Sequence, residues 1–291
     1  MKFILTADWH LRNTKPRCRL DDDWNKTQIK MLMQIEFIAK KRNCDVYVVG
    51  DIFHSNSDTS FRNIQMVQSF AKNLADNDLR MYILAGNHDL PYHSSENIDK
   101  SAIGILLQSE NISLILVTDK VSATNFDIES QNKEIIFKHV LCFPDDKSIP
   151  PNVNAITAKE LLEQYDKAKW IFTGDYHHNF HYKFNDCHVV NSGCLIRQVS
   201  DMKDYVCGVY YIDTDNEIVE FIQLKDDISM VDDTYILKQN EKEERIEEFI
   251  TKLTDTQSVS LDFLDNVENA LLENDLDESL KACIKEFIND Y

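Results

Sequence analysis

Polar residues that can carry chemistry recur at one kind of place in this chain, directly after short apolar segments. The segments cover residues 3–6, 46–49, 81–84, 135–137 and 170–173, and they are rich in β-branched and aromatic residues, as buried strands are. Ligands bind beyond the carboxyl ends of strands in α/β sheets, so the residues that follow these segments should converge. The pattern therefore predicts one polar site assembled from five distant parts of the chain.

Segments with helical spacing alternate with these strands. Residues 24–41, 60–76 and 157–165 are predicted helices, and a further strand is predicted at residues 114–117. Residues 188–190, 205–212 and 217–224 then read as antiparallel strands, with a hairpin turn at residues 213–216. Strands and helices in alternation, followed by hairpins, predict an α/β domain with α+β character at its end.

The distribution of charge divides the chain into two parts. The net charge is −19 over 291 residues, and residues 226–291 alone hold 19 acidic and 6 basic side chains, with no glycine or proline. Apolar residues in this last part keep helical spacing. We therefore predict a first domain over residues 1–225 and a small acidic helical cap over residues 226–291. The first domain is not acidic enough to exclude nucleic acid as a partner.

Targeting signals and disulfides are not expected. No apolar run approaches the length of a membrane span, and the N-terminal segment reaches Asp8 too soon for a signal peptide. The seven cysteines are scattered without CxxC pairs, which argues against a disulfide framework. These features predict an intracellular protein without a membrane partner.

The residue types after the strands suit two divalent metal ions. Carboxylate, amide and imidazole donors are all present, from Asp8, His10, Asp51, Asn87, His139, Asp175 and His177. Seven donors are enough for two ions if one carboxylate bridges, and a set without cysteine disfavours structural zinc. Two ions about 3.5–4 Å apart can activate a water and clamp a phosphate for in-line attack.

Glycine is scarce in this chain, and its placement is informative. Only six glycines are present, and Gly50, Gly86 and Gly174 each stand directly before one of the polar clusters. We therefore expect the backbone at these turns to need a freedom that other residues lack.

These motifs resemble a known family in order and spacing across residues 1 to 195. Asp8-x-His10, Gly50-Asp51, Gly86-Asn87-His88-Asp89, the isolated His139 and Gly174-Asp175-x-His177 resemble the calcineurin-like metallophosphoesterases. The resemblance implies a four-layer αββα sandwich, in which two facing β-sheets are flanked by helices. It also implies that Asp51 bridges two ions. One ion would be completed by Asp8, His10 and His177, and the other by Asn87, His139 and Asp175.

A narrower resemblance is to the Mre-eleven/SbcD nucleases, especially their small phage recombination forms. Residues 50–54 look like that group's Gly-Asp-aromatic-His motif, and residues 190–197 resemble its Asn-Pro-Gly-Ser-x-x-Arg segment, with Ser192 and Cys194 as departures. The resemblance implies a DNA exonuclease, and a single-strand endonuclease, that uses Mn²⁺ or Mg²⁺ in DNA repair and recombination. The implied partners are DNA, an SbcC-like ATPase of the SMC type and a second copy in a homodimer.

Two other functions stay open. A phosphomonoesterase or small-nucleotide phosphodiesterase would use the same fold and donors. A scaffold protein that has lost its metals would keep the fold, and its expected signature is gaps among the ligands.

Several residues have both a functional and a structural interpretation. His88 is predicted to assist the leaving oxygen and His54 to support it, whereas both would otherwise be packing residues. Asp175 stands where most of the superfamily has histidine, so it is either a ligand or a turn cap. DNA phosphate contacts are predicted for Arg12, Lys15, Arg17, Arg19 and Arg197; the alternative for the first four is a solvated loop.

Overall fold

A computed structural model describes residues 1–56, 59–123 and 133–232, together with the isolated positions 234 and 281. The chain divides into two units, Met1–Val231 and Asp232–Tyr291. The predicted helices of the acidic C-terminal cap lie outside the described residues. None of the helices in the described ranges is long and apolar enough to cross a membrane.

The first unit contains four α-helices and thirteen strands among its described residues. The helices are α1 (Trp24–Arg42), α2 (Phe61–Ala75), α3 (Ala102–Leu106) and α4 (Ala158–Gln164). The strands are β1 (Lys2–Thr6), β2 (Asp45–Val49), β3 (Met81–Leu84), β4 (Ile112–Leu114), β5 (Val121–Ala123), β6 (Ile135–His139), β7 (Cys142–Phe143), β8 (Ile156–Thr157), β9 (Trp170–Gly174), β10 (Phe180–Phe184), β11 (Cys187–Asn191), β12 (Gly208–Asp213) and β13 (Ile218–Gln223).

Two sheets contain most of the strands. The first has the order β13-β12-β1-β2-β3-β4, and the second has the order β10-β11-β9-β6-β5. Strands β1 to β4 run parallel, whereas β12 joins β1 antiparallel, with Phe3 opposite Ile212. In the second sheet β5, β6, β9 and β11 run parallel. The carboxyl ends of the parallel strands within each sheet therefore share an edge, which is where the predicted polar clusters begin.

Alternation along the strands builds the layers. Phe3 of β1 points between the two sheets, where its ring centroid lies 5.2 Å from that of Phe172 on β9. Ile4 points the other way, into the cluster under α1, α2 and α3. Ile171 of β9 packs in a third cluster with α4. Strands β1 and β9 thus have two buried faces each, and the predicted αββα order of layers is confirmed.

The helices begin and end where their caps are satisfied. Asp23 accepts a hydrogen bond from the Lys26 amide at 3.0 Å before α1, and Asn43 ends that helix in the left-handed conformation. Ser60 caps α2 in the same way, and Thr157 forms a capping box with Glu160 at α4. Elsewhere the predicted boundaries shift: the strand expected at residues 114–117 is Ile112–Leu114, and the one expected at 205–212 begins only at Gly208.

Residues 226–231, which the charge pattern assigned to the cap, lie in the first unit. The side chain of Asp226 is only 2% exposed and accepts hydrogen bonds from Arg19 at 3.0 Å and from Arg197 at 2.9 Å. Val231 forms an isolated antiparallel bridge with Arg19. We call Arg19, Asp21, Arg197 and Asp226 the buried arginine cluster.

Candidate metal centre

The loops after β1 and β2 run side by side and place the first carboxylates. The backbone amides of Asp8 and His10 donate to the carbonyls of Gly50 and Asp51 at 3.1 and 3.0 Å. Asp8, His10 and Asp51 all have positive φ angles, of 49°, 43° and 51°, and Asp175 after β9 has φ 83°. Non-glycine residues adopt this conformation at a cost and cluster at functional sites. The strain here falls on predicted ligands.

Close backbone approach explains two of the glycines. A Cβ at Gly50, which has φ +87°, would lie 2.1 Å from Nδ1 of His139. A Cβ at Gly86 would lie 2.1 Å from Oδ1 of Asp51. Any side chain at either position would displace a predicted ligand, so glycine is required there by space as well as by conformation.

Imidazole and carboxylate groups converge around one side of Asp51. The Nε2 atoms of His10 and His177 are 3.1 Å apart, and His10 Nε2 lies 3.8 Å from Asp51 Oδ2. Asp8, His10 and His177 each offer one donor atom within 4.8 Å of the others. The Asp175 amide donates to both carboxylate oxygens of Asp8 at 3.1 Å, which holds that side chain towards the cluster.

A second group of donors lies on the other side of Asp51. The Nε2 atom of His139 is 3.2 Å from Asp51 Oδ2, 3.0 Å from Asn87 Oδ1 and 3.7 Å from Asp175 Oδ1. His139 Nδ1 donates to the Val49 carbonyl at 2.9 Å, which fixes the ring and leaves Nε2 facing the carboxylates. Histidine ligands are commonly oriented by such a bond from their second nitrogen.

Buried acidic and basic groups shift one another's pKa values in this site. Burial raises the pKa of Asp8 well above its usual value. Burial opposes the charge of Asp51, but His139 outweighs it and lowers the pKa of Asp51. In turn, Asp51 overcomes burial at His139 and raises the pKa of that imidazole to about 10. The carboxylates around His139 thus favour a positive charge at this position.

The donor set fits divalent metal ions. Burial lowers the pKa of both His10 and His177, which keeps them in the neutral form that binds a metal. Oδ2 of Asp51 is buried and lies 3.2 Å from Nε2 of His139 and 3.8 Å from Nε2 of His10, which are themselves predicted ligands. A buried carboxylate costs free energy unless a positive charge compensates it. Its position between His10 and His139 is where a cation would compensate it.

His88 and His54 lie at the exposed side of the same cluster. The His88 amide donates to Asp51 Oδ1 at 2.9 Å, and its ring centroid is 5.0 Å from that of His10. The Nδ1 atom of His88 lies 2.7 Å from the His54 carbonyl oxygen, which can only accept, so Nδ1 carries the proton. His88 is exposed, whereas the predicted ligands Asp8, Asp51 and His139 are buried.

The predicted DNA-contact residues separate into two groups. Lys15 and Arg17 are exposed, and Arg12 is half-buried. The side chain of Arg19 is 0% exposed and that of Arg197 is 7% exposed, and both belong to the buried arginine cluster. Their guanidinium groups hold the fold together and are not presented to a phosphate backbone. DNA contacts at Arg19 and Arg197 stay a prediction, and the burial of both side chains argues against it.

Asp89 has a role that the sequence reasoning missed. It is fully buried, and it accepts hydrogen bonds from the amides of Ile52 at 3.2 Å, Phe53 at 2.9 Å and Gly86 at 3.0 Å. This carboxylate ties the loop of Asp51 to the loop after β3. Burial, with Asp51 close by, raises the pKa of Asp89 to about 7. In the sequence, the position of Asp89 at the end of Gly86-Asn87-His88-Asp89 links it to the site. That position does not show which backbone amides its carboxylate accepts hydrogen bonds from.

An αββα sandwich with histidines, carboxylates and an amide gathered at its strand ends defines a metal-dependent phosphoesterase. The family model for calcineurin-like phosphoesterases matches residues 1–179, and the chain belongs to that family. It is therefore a hydrolase of phosphate esters on a fold that uses divalent metals. The resemblance inferred from the five motifs is confirmed.

Three similar proteins accompany the family match. "Exonuclease subunit 1" of Enterobacteria phage T4 is 26% identical over 129 residues, which are 44% of this chain and 35% of the phage protein. The match thus spans about a third of that relative's length. A solved archaeal phosphodiesterase is 15% identical, with a TM-score of 0.42 over 77% of this chain and 100% of that chain. The nuclease MPE of Pseudomonas putida is 12% identical, with a TM-score of 0.34 over 76% and 87%.

Proposed function

We propose that this chain is a two-metal phosphodiesterase that acts on DNA ends, as an exonuclease and as a single-strand endonuclease in DNA repair and recombination. The observation that carries the proposal is the placement of Asp51. Its Oδ2 atom lies between His10 Nε2 at 3.8 Å and His139 Nε2 at 3.2 Å, each of which belongs to a separate group of donors. A carboxylate shared by two donor groups is what a pair of neighbouring ions requires.

The residues divide between two ions around the shared carboxylate of Asp51. One ion would be held by Asp8, His10 and His177, and the other by Asn87, His139 and Asp175. When bound, the ions neutralise charge on the phosphate and activate a water. Oxygen donors are prominent in the second group, which favours Mn²⁺ or Mg²⁺ over softer metals.

His88 is the proposed proton donor to the leaving oxygen. With Nδ1 engaged by the His54 carbonyl, Nε2 is the nitrogen available to a substrate. The bond from Nδ1 to the carbonyl also fixes the orientation of the ring, so that Nε2 is the atom from which a proton would reach the leaving oxygen. In this arrangement His54 acts through its backbone, which gives a physical basis for its predicted supporting role.

The choice of DNA as substrate is supported by the phage relative and by the motifs of residues 50–54 and 190–197. Lys15 and Arg17, which are exposed just beyond the first metal motif, are proposed to contact phosphates, with Arg12 beside them. An SbcC-like SMC-type ATPase and a second copy of this chain are the proposed protein partners. The acidic C-terminal region is proposed to help hold DNA.

End-labelled single- and double-stranded DNA, incubated with Mn²⁺ or Mg²⁺, tests the proposal. We expect Mn²⁺-dependent release of nucleotides, with Asp51→Asn as the inactive control. Intact DNA in the presence of two bound ions would refute nuclease activity. Rapid cleavage of a phosphomonoester by the same sample would then assign the alternative phosphomonoesterase activity. Fewer than one bound ion per chain after Mn²⁺ loading would instead indicate the scaffold function.

A further inference from the structure

The loop that carries Asp175 and His177 is shaped by another segment of the chain. Three consecutive carbonyls, those of residues 176–178, accept hydrogen bonds from residues 191–194. The Asn191 side-chain nitrogen donates to Tyr176 at 2.6 Å and to His178 at 2.8 Å, and the Cys194 amide donates to His177 at 2.9 Å. The backbone on both sides of the His177 side chain is therefore held by one residue, Asn191.

The chemistry of Asn191 fits this task closely. The residue is 0% exposed, and both of its amide hydrogens are used by the two carbonyls. Its Oδ1 accepts from the Thr173 hydroxyl at 2.9 Å, which sets the orientation of the amide group. The flipped amide would direct its oxygen at two carbonyl oxygens. Every polar atom of this side chain thus has a partner, as a rigid buried network requires.

The same segment also contacts the loop of the first strand. The Leu195 amide donates to the Asp8 carbonyl at 3.2 Å. Asp8 and His177 are 169 positions apart in the sequence, yet the backbone carbonyls of both accept hydrogen bonds from residues 194 and 195. That segment is in register with β9 through the parallel pairing of Asn191 with Thr173. Residues 191–195 therefore connect the second sheet to the two loops that carry Asp8 and His177, which are proposed to bind one ion.

We propose that Asn191 is a positioning residue of the metal centre, whose amide sets the place of His177 and so the affinity of the ion that His177 binds. The inference rests on the proposed ligation by His177 and not on the identity of the substrate. Groups that orient metal ligands typically change metal affinity by about 10–100-fold when removed. A buried amide with only a structural role would lower stability and leave metal affinity unchanged.

Metal binding in the full-length chain separates the two roles. Asn191→Ala and Asn191→Asp are titrated with Mn²⁺, and free Mn²⁺ is followed by electron paramagnetic resonance. Asn191→Asp keeps the shape but cannot donate to the two carbonyls. We expect about 10–100-fold weaker binding at one of two sites in both variants. Unfolding in the presence of EDTA measures the accompanying loss of stability.

Asn63 provides a matched control, because it is also a 0% exposed asparagine with a hydrogen-bonded side chain, but it lies on α2 and bonds to Ser60. Asn63→Ala should lower the unfolding temperature and leave both Mn²⁺ affinities unchanged. Thr173→Val is a milder variant that removes only the bond to Asn191 Oδ1, and it should weaken the same site several-fold. Thr173→Ser keeps the hydroxyl and should restore the affinity.

Wild-type Mn²⁺ affinities in Asn191→Ala, or in Thr173→Val if the first variant does not fold, would overturn the inference. So would a wild-type chain that binds no Mn²⁺. If the wild type leaves DNA intact while Asn191→Ala still weakens one Mn²⁺ site, the proposed nuclease function fails and the positioning role stands. An additional His177→Ala substitution should weaken that site little further in the Asn191→Ala background, because both changes remove the same ligand geometry.

Discussion

Replacing Asp226 by asparagine tests whether residues 226–231 belong to the phosphoesterase fold. The carboxylate accepts three hydrogen bonds from guanidinium groups, two from Arg19 at 3.0 Å and one from Arg197 at 2.9 Å. The amide keeps the shape but removes the charge and offers one accepting oxygen, so at least one charge-assisted bond is lost. Such a bond contributes about 1.5–3 kcal/mol.

The loss of charge adds to this cost. Arg19 keeps Asp21, at 2.7 Å from its Nε, whereas Arg197 is left buried without a carboxylate among its described contacts. Breaking a buried pair by removing one partner destabilises proteins by about 3–5 kcal/mol, and the remaining Asp21 places Asp226→Asn near the lower end. With a urea m-value of about 3 kcal/mol/M, the unfolding midpoint should fall by about 1 M.

Urea unfolding followed by circular dichroism measures the effect. Glu220→Gln is the matched control, because it also neutralises a carboxylate paired with arginine, but the Arg42 and Glu220 side chains are 35% and 45% exposed. That surface pair should contribute less than about 1 kcal/mol. Equal and small changes in the two variants would refute the structural role assigned to the buried arginine cluster.

Four further outcomes follow from the structure. His88→Ala should bind two Mn²⁺ ions as the wild type does but lose about 10²–10⁴-fold in kcat on DNA; loss of metal would make His88 a ligand. Asp175→Ala should weaken one Mn²⁺ site in a binding titration, and unchanged affinity would make Asp175 a turn cap. Burial, with His181 beside it, lowers the pKa of His188 to about 4. The unfolded chain therefore binds a proton at this histidine near pH 6.5, whereas the folded chain does so only near pH 4. The free energy of unfolding should fall as the pH drops from about 6.5 towards 4, and His188→Phe should reduce this pH dependence. A chain ending at Val231 should fold by circular dichroism, whereas one ending at Lys225 should not.

The local sequence was sufficient for most elements of the fold. Strands such as β1, β2, β3 and β9 are short apolar runs followed by polar clusters, and the helices carry their own caps at Asp23, Ser60 and Thr157. These signals lie within a few residues of the elements that they define, so they are readable without a structure. Weakly apolar elements such as β5, β7 and β10 carry no such signal, and their positions depend on the neighbouring strands.

The composition of the site was also determined by the sequence, because each candidate donor stands at the end of a strand whose direction is predictable. Asp8, Asp51, Asn87, His139 and Asp175 are brought together by the parallel pairing within each sheet and by the packing of one sheet on the other. Five polar clusters in one order make a pattern that a single element does not provide. The donors converge because the parallel strands end at one edge of each sheet, and the alternation of strands and helices in the sequence predicts that parallel arrangement.

The partners of buried polar groups were decided by the tertiary structure alone. Arg19 reads in the sequence as a basic residue of a solvated loop, yet it pairs with Asp226, which is 207 positions away. Asn191 and Asp89 likewise bond to backbone groups of other loops. A side chain's periodicity reports whether it is buried, but a hydrogen bond depends on which distant groups the folded chain brings within about 3 Å. Those distances exist only after the sheets have packed.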